Sequence, residues 1–226
     1  MEKYNLYPIN EGTLKLLFEK ILELNQLLNN EIIILSEAEY NQNRIYKLSS
    51  IYISLINRAI ELNNGYISLF NLKNYLTAIS LLRIQIENCL RFHGLRILDN
   101  MPYAFDEFLS GKELREMTGN DGKKLYDTYL AKELDRIYPE YNFKGLYKQY
   151  CEIIHFSGFY QNIGTEFLDD GNGVKATIYL GGGSINPHFN IENQINYTIS
   201  IFYTTKLLYK LFSTYSKKMR EILEKK

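Results

Sequence analysis

The chain has no tryptophan, only two cysteines and three histidines in 226 residues, and no excess charge of either sign. Two cysteines, Cys89 and Cys151, cannot build a disulfide framework; both fall in helical patterns and are expected to be reduced and partly buried. The three histidines, His93, His155 and His188, are scattered. Cys151 and His155 stand four residues apart on one helix face, but no second close pair completes a tetrahedral zinc set, so no metal and no cofactor is expected. With 26 basic and 26 acidic residues the formal charge is zero. No global positive field collects phosphates, and any nucleic-acid contact has to be local. Apolar stretches are broken by Asn, Arg or Glu well before membrane-spanning length. The first residues, MEKYNLYPINEG, lack the basic-then-apolar order of a secretory signal. The expectation is a cytoplasmic protein without membrane contact.

What the chain does have is 46% hydrophobic residues, 20 of its residues tyrosine, and strong helical periodicity. Leu14, Leu17, Phe18, Ile21, Leu24 and Leu28 recur at three- and four-residue steps and predict a helix over 13–35, capped by Asn10 or Thr13. The run EIIILSEAEY either continues this helix or marks a junction, and a second helix is expected over 37–62, stopped by Asn63-Asn64-Gly65. The third, over 69–98, contains no proline and carries Leu76, Ile79, Ile86, Leu90 and Ile97 on one stripe, as a central bundle helix does. A short helix broken at Ser110-Gly111, helices over 121–137 and 143–158, and a closing helix over 191–223 follow, the last with Ile195, Ile199, Phe202, Leu207, Leu211 and Phe212 as buried candidates. Between the last two, GVKATIYLGGGSINPHF reads as a strand, a glycine-rich turn and a second strand. The predicted fold is mainly α: one domain over 1–226, a bundle of five to seven helices, with a small β-hairpin inserted over 173–190 before the last helix.

Three polar residues on the central helix need explaining. Arg83 falls between Ile79, Ile86 and Leu90, near the core side, where a guanidinium needs a partner. Glu87 lies four residues on and Arg91 four beyond that, which makes an Arg-Glu-Arg ladder on one face. One reading is a structural salt bridge; the other is a polar pocket in which Arg83 holds an anion and Glu87 orients it. The helix YKQYCEIIHFSG repeats the geometry: Tyr147, Cys151, Ile154 and Gly158 face inward, with His155 and Ser157 at the edge. If the two helices are neighbours, Arg83, Glu87 and His155 share a cleft in which a histidine acts as acid or base beside an anion-holding arginine, a set suited to phosphodiester cleavage in RNA. Arg91, Tyr147 and Ser157 are then ligand contacts. Cys151 and His155 show no oxyanion geometry for a thiol nucleophile. LGGGSINPH lacks the Lys-Ser/Thr ending of a phosphate loop, and FLDDGNG lacks the spacing of a calcium loop; both read as turns.

The pairing of LLRIQIENCLRF with YKQYCEIIHFSG resembles a broad bacterial family of helical proteins that has no assigned activity. Its motifs are Arg-x3-Glu and Tyr-x3-Cys/Ser-x3-His-x-Ser, matched here by Arg83 with Glu87 and by Tyr147, Cys151, His155 and Ser157. The sequence is more loosely similar to the HEPN class of toxin and phage-defence domains, which implies a composite ribonuclease site at a dimer cleft. That class carries Arg and His on one helix, whereas here Arg83 is followed by Glu87 and His155 sits on another helix. Two functions therefore stand side by side. One is a defence- or toxin-related protein binding or cleaving RNA, or binding a nucleotide, through Arg83, Glu87 and His155. The other is a non-enzymatic homodimeric interaction protein in which the same residues are structural ties.

Overall fold

The computed structural model describes residues 7–154, 165–169, 174–178 and 189–225. Helix α1 (Glu11–Asn41) starts where the Asn10 side chain accepts a 2.9 Å hydrogen bond from the Thr13 amide, with Glu11 in the first turn. A side-chain acceptor at that position satisfies an amide the helix cannot pair, and the acidic residue complements the helix dipole. EIIILSEAEY continues the same helix. It is followed by α2 (Lys47–Asn71), α3 (Tyr75–Arg96), the short α4 (Met101–Leu109), α5 (Asp127–Ile137), α6 (Phe143–Ile154) and α7 (Ile191–Glu224). The loops turn on Asn43, Lys73, Asn100 and Asn142, all in the left-handed backbone region, which asparagine tolerates better than most residues.

The helices bury most of the stripes that periodicity marks, with Leu14, Phe18, Leu76, Ile97 and Phe202 only partly buried at their edges. Leu17, Ile21, Leu24, Leu28 and Leu35 of α1, Ile79, Ile86 and Leu90 of α3, and Ile195, Ile199, Leu207, Leu211 and Phe212 of α7 are buried. α1 and α7 run side by side in the same direction: Leu17 packs on Ile195 and Ile199 near one end, and Glu31 pairs with Arg220 at 3.8 Å towards the other. Tyr52 stacks on Phe92 at 3.9 Å between ring centroids, tying α2 to α3.

The frame departs from expectation at the first junction, which falls after Asn41 with α2 starting at Lys47 rather than at 35–37, and in two further respects. The helix does not stop at Asn63-Asn64-Gly65 but runs through to Asn71. Asn63 is fully buried and hydrogen-bonded to other helices, and a side chain at Gly65 would put its Cβ 3.1 Å from Leu81 Cδ1. The asparagine is a core residue and the glycine is a place of close helix approach. The hairpin over 173–190 is the second correction. The core is all-α, and the strand pairing among the described residues joins Thr165–Asp169 to Val174–Ile178, antiparallel, with Phe167 opposite Ala176. The pairing thus begins before the expected span, and 179–188, with the Gly181–Gly183 run and His188, lie outside the described residues.

Glycine also decides how α3 meets its neighbours near residue 94. A Cβ on Gly94 would collide with Leu114 Cδ2 and lie 3.2 Å from Leu130 Cδ1, and both leucines are buried. Overpacking of this kind costs about 1–3 kcal/mol. Gly94→Ala is expected to lower the urea midpoint accordingly, and trimming Leu114 to Ala in the same chain should recover part of that loss.

Candidate functional site

Residues 83, 87 and 91 lie one helical turn apart, so α3 presents them as a row. Glu87 sits between the two arginines: its carboxylate is 3.7 Å from Arg83 Nη1 and 3.4 Å from Arg91 Nε. The opposite end of each guanidinium meets Asp127, the first residue of α5. Arg91 Nη1 donates to Asp127 Oδ1 at 2.6 Å, and Arg83 Nη2 lies 3.7 Å from Asp127 Oδ2. The four groups close a ring of alternating sign with no net charge. Asp127 also occupies the first turn of α5, where the helix dipole favours a carboxylate.

Arg83 is the most enclosed member, its side chain 14% exposed. Its Nε lies 3.2 Å from the Cys151 sulfur, and the guanidinium carbon sits 4.8 Å over the Tyr147 ring, both residues being on α6. A planar cation on an aromatic face, with carboxylates at its edge, is the arrangement arginine suits and lysine does not. Burial works against the charge on Arg83, but Cys151, Tyr147 and Glu87 outweigh it and hold the group above its ordinary pKa. Burial, with Cys151 and Asp127 beside it, pushes the Tyr147 phenol up to about 12, so it stays protonated near neutrality.

The sequence-derived set is thus brought together in part. Arg83, Glu87, Arg91 and Tyr147 share one inter-helical cluster; His155, Ser157 and Gly158 lie outside the described residues. Asp127 was not anticipated. The sequence pattern placed it inside a helix over 121–137, whereas residues 118–124 form a tight turn and the helix begins at Asp127 itself.

Two clefts flank the cluster and share Arg91, Glu113 and Arg115. One, of about 480 Å³, also touches Arg58, Glu87 and Lys112; the other, about 360 Å³, touches Tyr126, Asp127 and Tyr147. The cations around them are mostly neutralised. Lys112 pairs with Glu107 at 2.7 Å, Arg115 pairs with Glu113, and Arg91 belongs to the ring. Among the described residues Arg58 is the exception, with Nη1 donating to Asn88 at 3.0 Å.

Asn88 opens a chain of side-chain amides that crosses the core. Its Nδ2 donates to Gln85 Oε1 at 3.0 Å, and Gln85 Nε2 donates to Asn63 Oδ1 at 3.1 Å and Thr205 Oγ1 at 3.3 Å. Thr205 in turn donates to Asn63 Oδ1 at 3.0 Å; Asn63 Nδ2 reaches Asn25 at 2.7 Å, and Asn25 reaches Asn64 at 3.1 Å. Helices α1, α2, α3 and α7 each contribute. Sequence reasoning missed this network because its members stand on apolar stripes as isolated polar letters.

His93 of α3 is also buried, 1% exposed, and neither ring nitrogen has a hydrogen-bond partner among the described residues. Burial and the neighbouring Arg96 and Arg136, opposed by Glu133, lower its pKa to about 4. Among the described residues no group of three or more His, Cys, Asp or Glu is placed to hold a metal ion, and no helix is long and apolar enough to cross a membrane. No protein-family model, curated protein or solved structure matches the chain.

Proposed function

We propose that the protein is a non-enzymatic helical interaction module that works as a homo-oligomer, with Arg83, Glu87 and Arg91 as structural ties. The observation that carries this is the enclosure of Arg83, whose Nη1 is buried with no hydrogen-bond partner among the described residues. Its edge faces two carboxylates and a sulfur, and its face lies on Tyr147. A guanidinium so enclosed, its charge already facing two carboxylates at 3.7 Å, is closed to an incoming phosphate; the ring ties α5 to α3, and Tyr147 and Cys151 seat α6 on Arg83. An RNA-acting reading draws on the adjacent clefts, but among the described residues their cations are balanced pair by pair except for Arg58. One uncompensated charge on an exposed side chain is a weak phosphate site in physiological salt.

The test separates the two readings in one protein. Arg83→Met keeps the apolar stem and removes the charge, which leaves Glu87, Asp127 and Arg91 mispaired. Breaking a partly buried pair of this kind costs about 2 kcal/mol. In a chain of this size that is a fall in thermal midpoint of roughly 5 °C. The wild-type chain, incubated with mixed-sequence RNA, is expected to leave it intact. Wild-type cleavage that disappears in a fully stable Arg83→Met protein would replace the structural assignment with a catalytic one.

A further inference from the structure

Six large apolar residues of α1 are left exposed: Leu16, Leu22, Leu27, Ile33, Ile34 and Tyr40, at 39–79% exposure. Leu22, Ile33 and Tyr40 share one line of the helix, whereas Leu16, Leu27 and Ile34 lie more than a quarter-turn round it; apolar groups aligned on one exposed line mark a contact surface. The face of α1 turned away from the core is a seam of alternating four- and three-residue steps: Lys15, Glu19, Leu22, Gln26, Asn29, Ile33, Ser36 and Tyr40. All eight are exposed. Such a spacing is the repeat along which two helices pack side by side.

We propose that this seam pairs with the same seam of a second copy, antiparallel, about a twofold axis passing between residues 27 and 28. The inference rests on the homo-oligomer reading above and supplies its surface. The chemistry of the seam selects both partner and direction. In that register Leu22 meets Ile33 of the second copy and Gln26 meets Asn29, so apolar groups face apolar groups and amides face amides. Glu19 faces the Ser36 hydroxyl, and Lys15 faces the Tyr40 ring, a cation on an aromatic face. A parallel twofold pair would set Lys15 on Lys15 and Glu19 on Glu19. Sliding the antiparallel pair by seven residues sets Leu22 on Gln26 in one direction and Ile33 on Asn29 in the other. One arrangement satisfies the whole seam, and an isologous contact of this kind closes at two copies.

The experiment measures molar mass by light scattering and sedimentation from low micromolar to about a hundred micromolar, a span that covers moderate dimer affinities. The wild-type chain is expected to dimerise. The double variant Leu22→Glu with Ile33→Glu places carboxylates at the apolar contacts and should weaken association at least about a hundredfold. Because both positions face outward, its helical circular dichroism should be unchanged. A second double variant, Gln26→Cys with Asn29→Cys, should form a covalent dimer on mild oxidation that the wild-type thiols do not form. A dimer that survives Leu22→Glu with Ile33→Glu overturns the seam and leaves the homo-oligomer reading standing. Dissociation by the glutamates without cysteine cross-linking overturns the antiparallel register. A wild-type chain that stays monomeric throughout overturns both the seam and the oligomer reading.

Discussion

Asn63→Leu is expected to lower the unfolding free energy by about 3–4 kcal/mol, the largest effect of any single substitution proposed for this protein. The volume is nearly conserved, so the loss does not come from a cavity. It comes from the groups left behind: Asn25 Oδ1 loses its donor, while Gln85 Nε2 and the Thr205 hydroxyl lose a shared acceptor, all inside the bundle. Each buried group stranded in this way costs about 1–3 kcal/mol, and Gln85 retains some compensation through its longer contacts to Thr205 and the Ala59 carbonyl. The thermal midpoint should fall by roughly 10 °C. A double-variant cycle makes the source explicit. Asn25→Leu combined with Asn63→Leu should cost clearly less than the two single changes added, because each single change already strands the other residue. Full additivity, or a loss below about 1 kcal/mol for Asn63→Leu alone, would mean that the amide chain contributes little.

The second large effect is pH-dependent and belongs to His93. Its folded pKa of about 4 lies below the ordinary value of 6.5, because burial and the nearby Arg96 and Arg136 disfavour the imidazolium. Between those values the unfolded chain binds a proton that the folded chain does not. Stability therefore rises with pH through this window: the contribution is present in full above about pH 6.5 and is lost as the pH falls towards 4. The depression corresponds to roughly 3 kcal/mol at 1.36 kcal/mol per pH unit. Urea unfolding at half-unit steps should show that slope, superimposed on whatever the carboxylates contribute at lower pH. His93→Leu removes the titration and fills a similar volume. It also removes two ring nitrogens that have no hydrogen-bond partner among the described residues. The variant should match or exceed the wild type at pH 7, since two unsatisfied polar atoms are replaced by apolar ones. Its stability should be nearly flat from pH 6.5 to 5. A wild-type profile already flat there would show that the imidazole is solvated in the folded protein.

Arg83 and His93 show how unevenly the sequence speaks. Arg83 stood out because a cation interrupts an apolar stripe with Glu87 one turn away, and an i,i+4 relation on a helix is a local fact. His93 carried no such flag: it sits on the same helix but depends on α5, which supplies Glu133 and Arg136. Asn63 and Gly65 misled, because an Asn-Asn-Gly run is a good helix stop when nothing packs on it. Here Asn25, Gln85 and Thr205 claim the amide, and Leu81 fills the space over the glycine. Tertiary packing outweighed a local preference worth about 1 kcal/mol. The β-segment was misplaced for a similar reason. Strand alternation after Val174 was visible, but its partner, Thr165–Asp169, carries no distinctive pattern and is defined by the pairing alone.

By itself the sequence determined the helical class, the buried stripes of α1, α3 and α7, and the row of Arg83, Glu87 and Arg91 on one face. All of these follow from a period of 3.6 residues acting over a few turns. Only the tertiary structure decided that Asp127 closes the row into a neutral ring, that Tyr147 and Cys151 cover Arg83, and that five amides and a threonine hydroxyl cross the core as one hydrogen-bonded chain. Those partners lie far apart along the chain, and nothing local specifies them. They meet because burying the apolar stripes brings their helices together, and a buried polar group must then find whichever partner the packing has placed within reach.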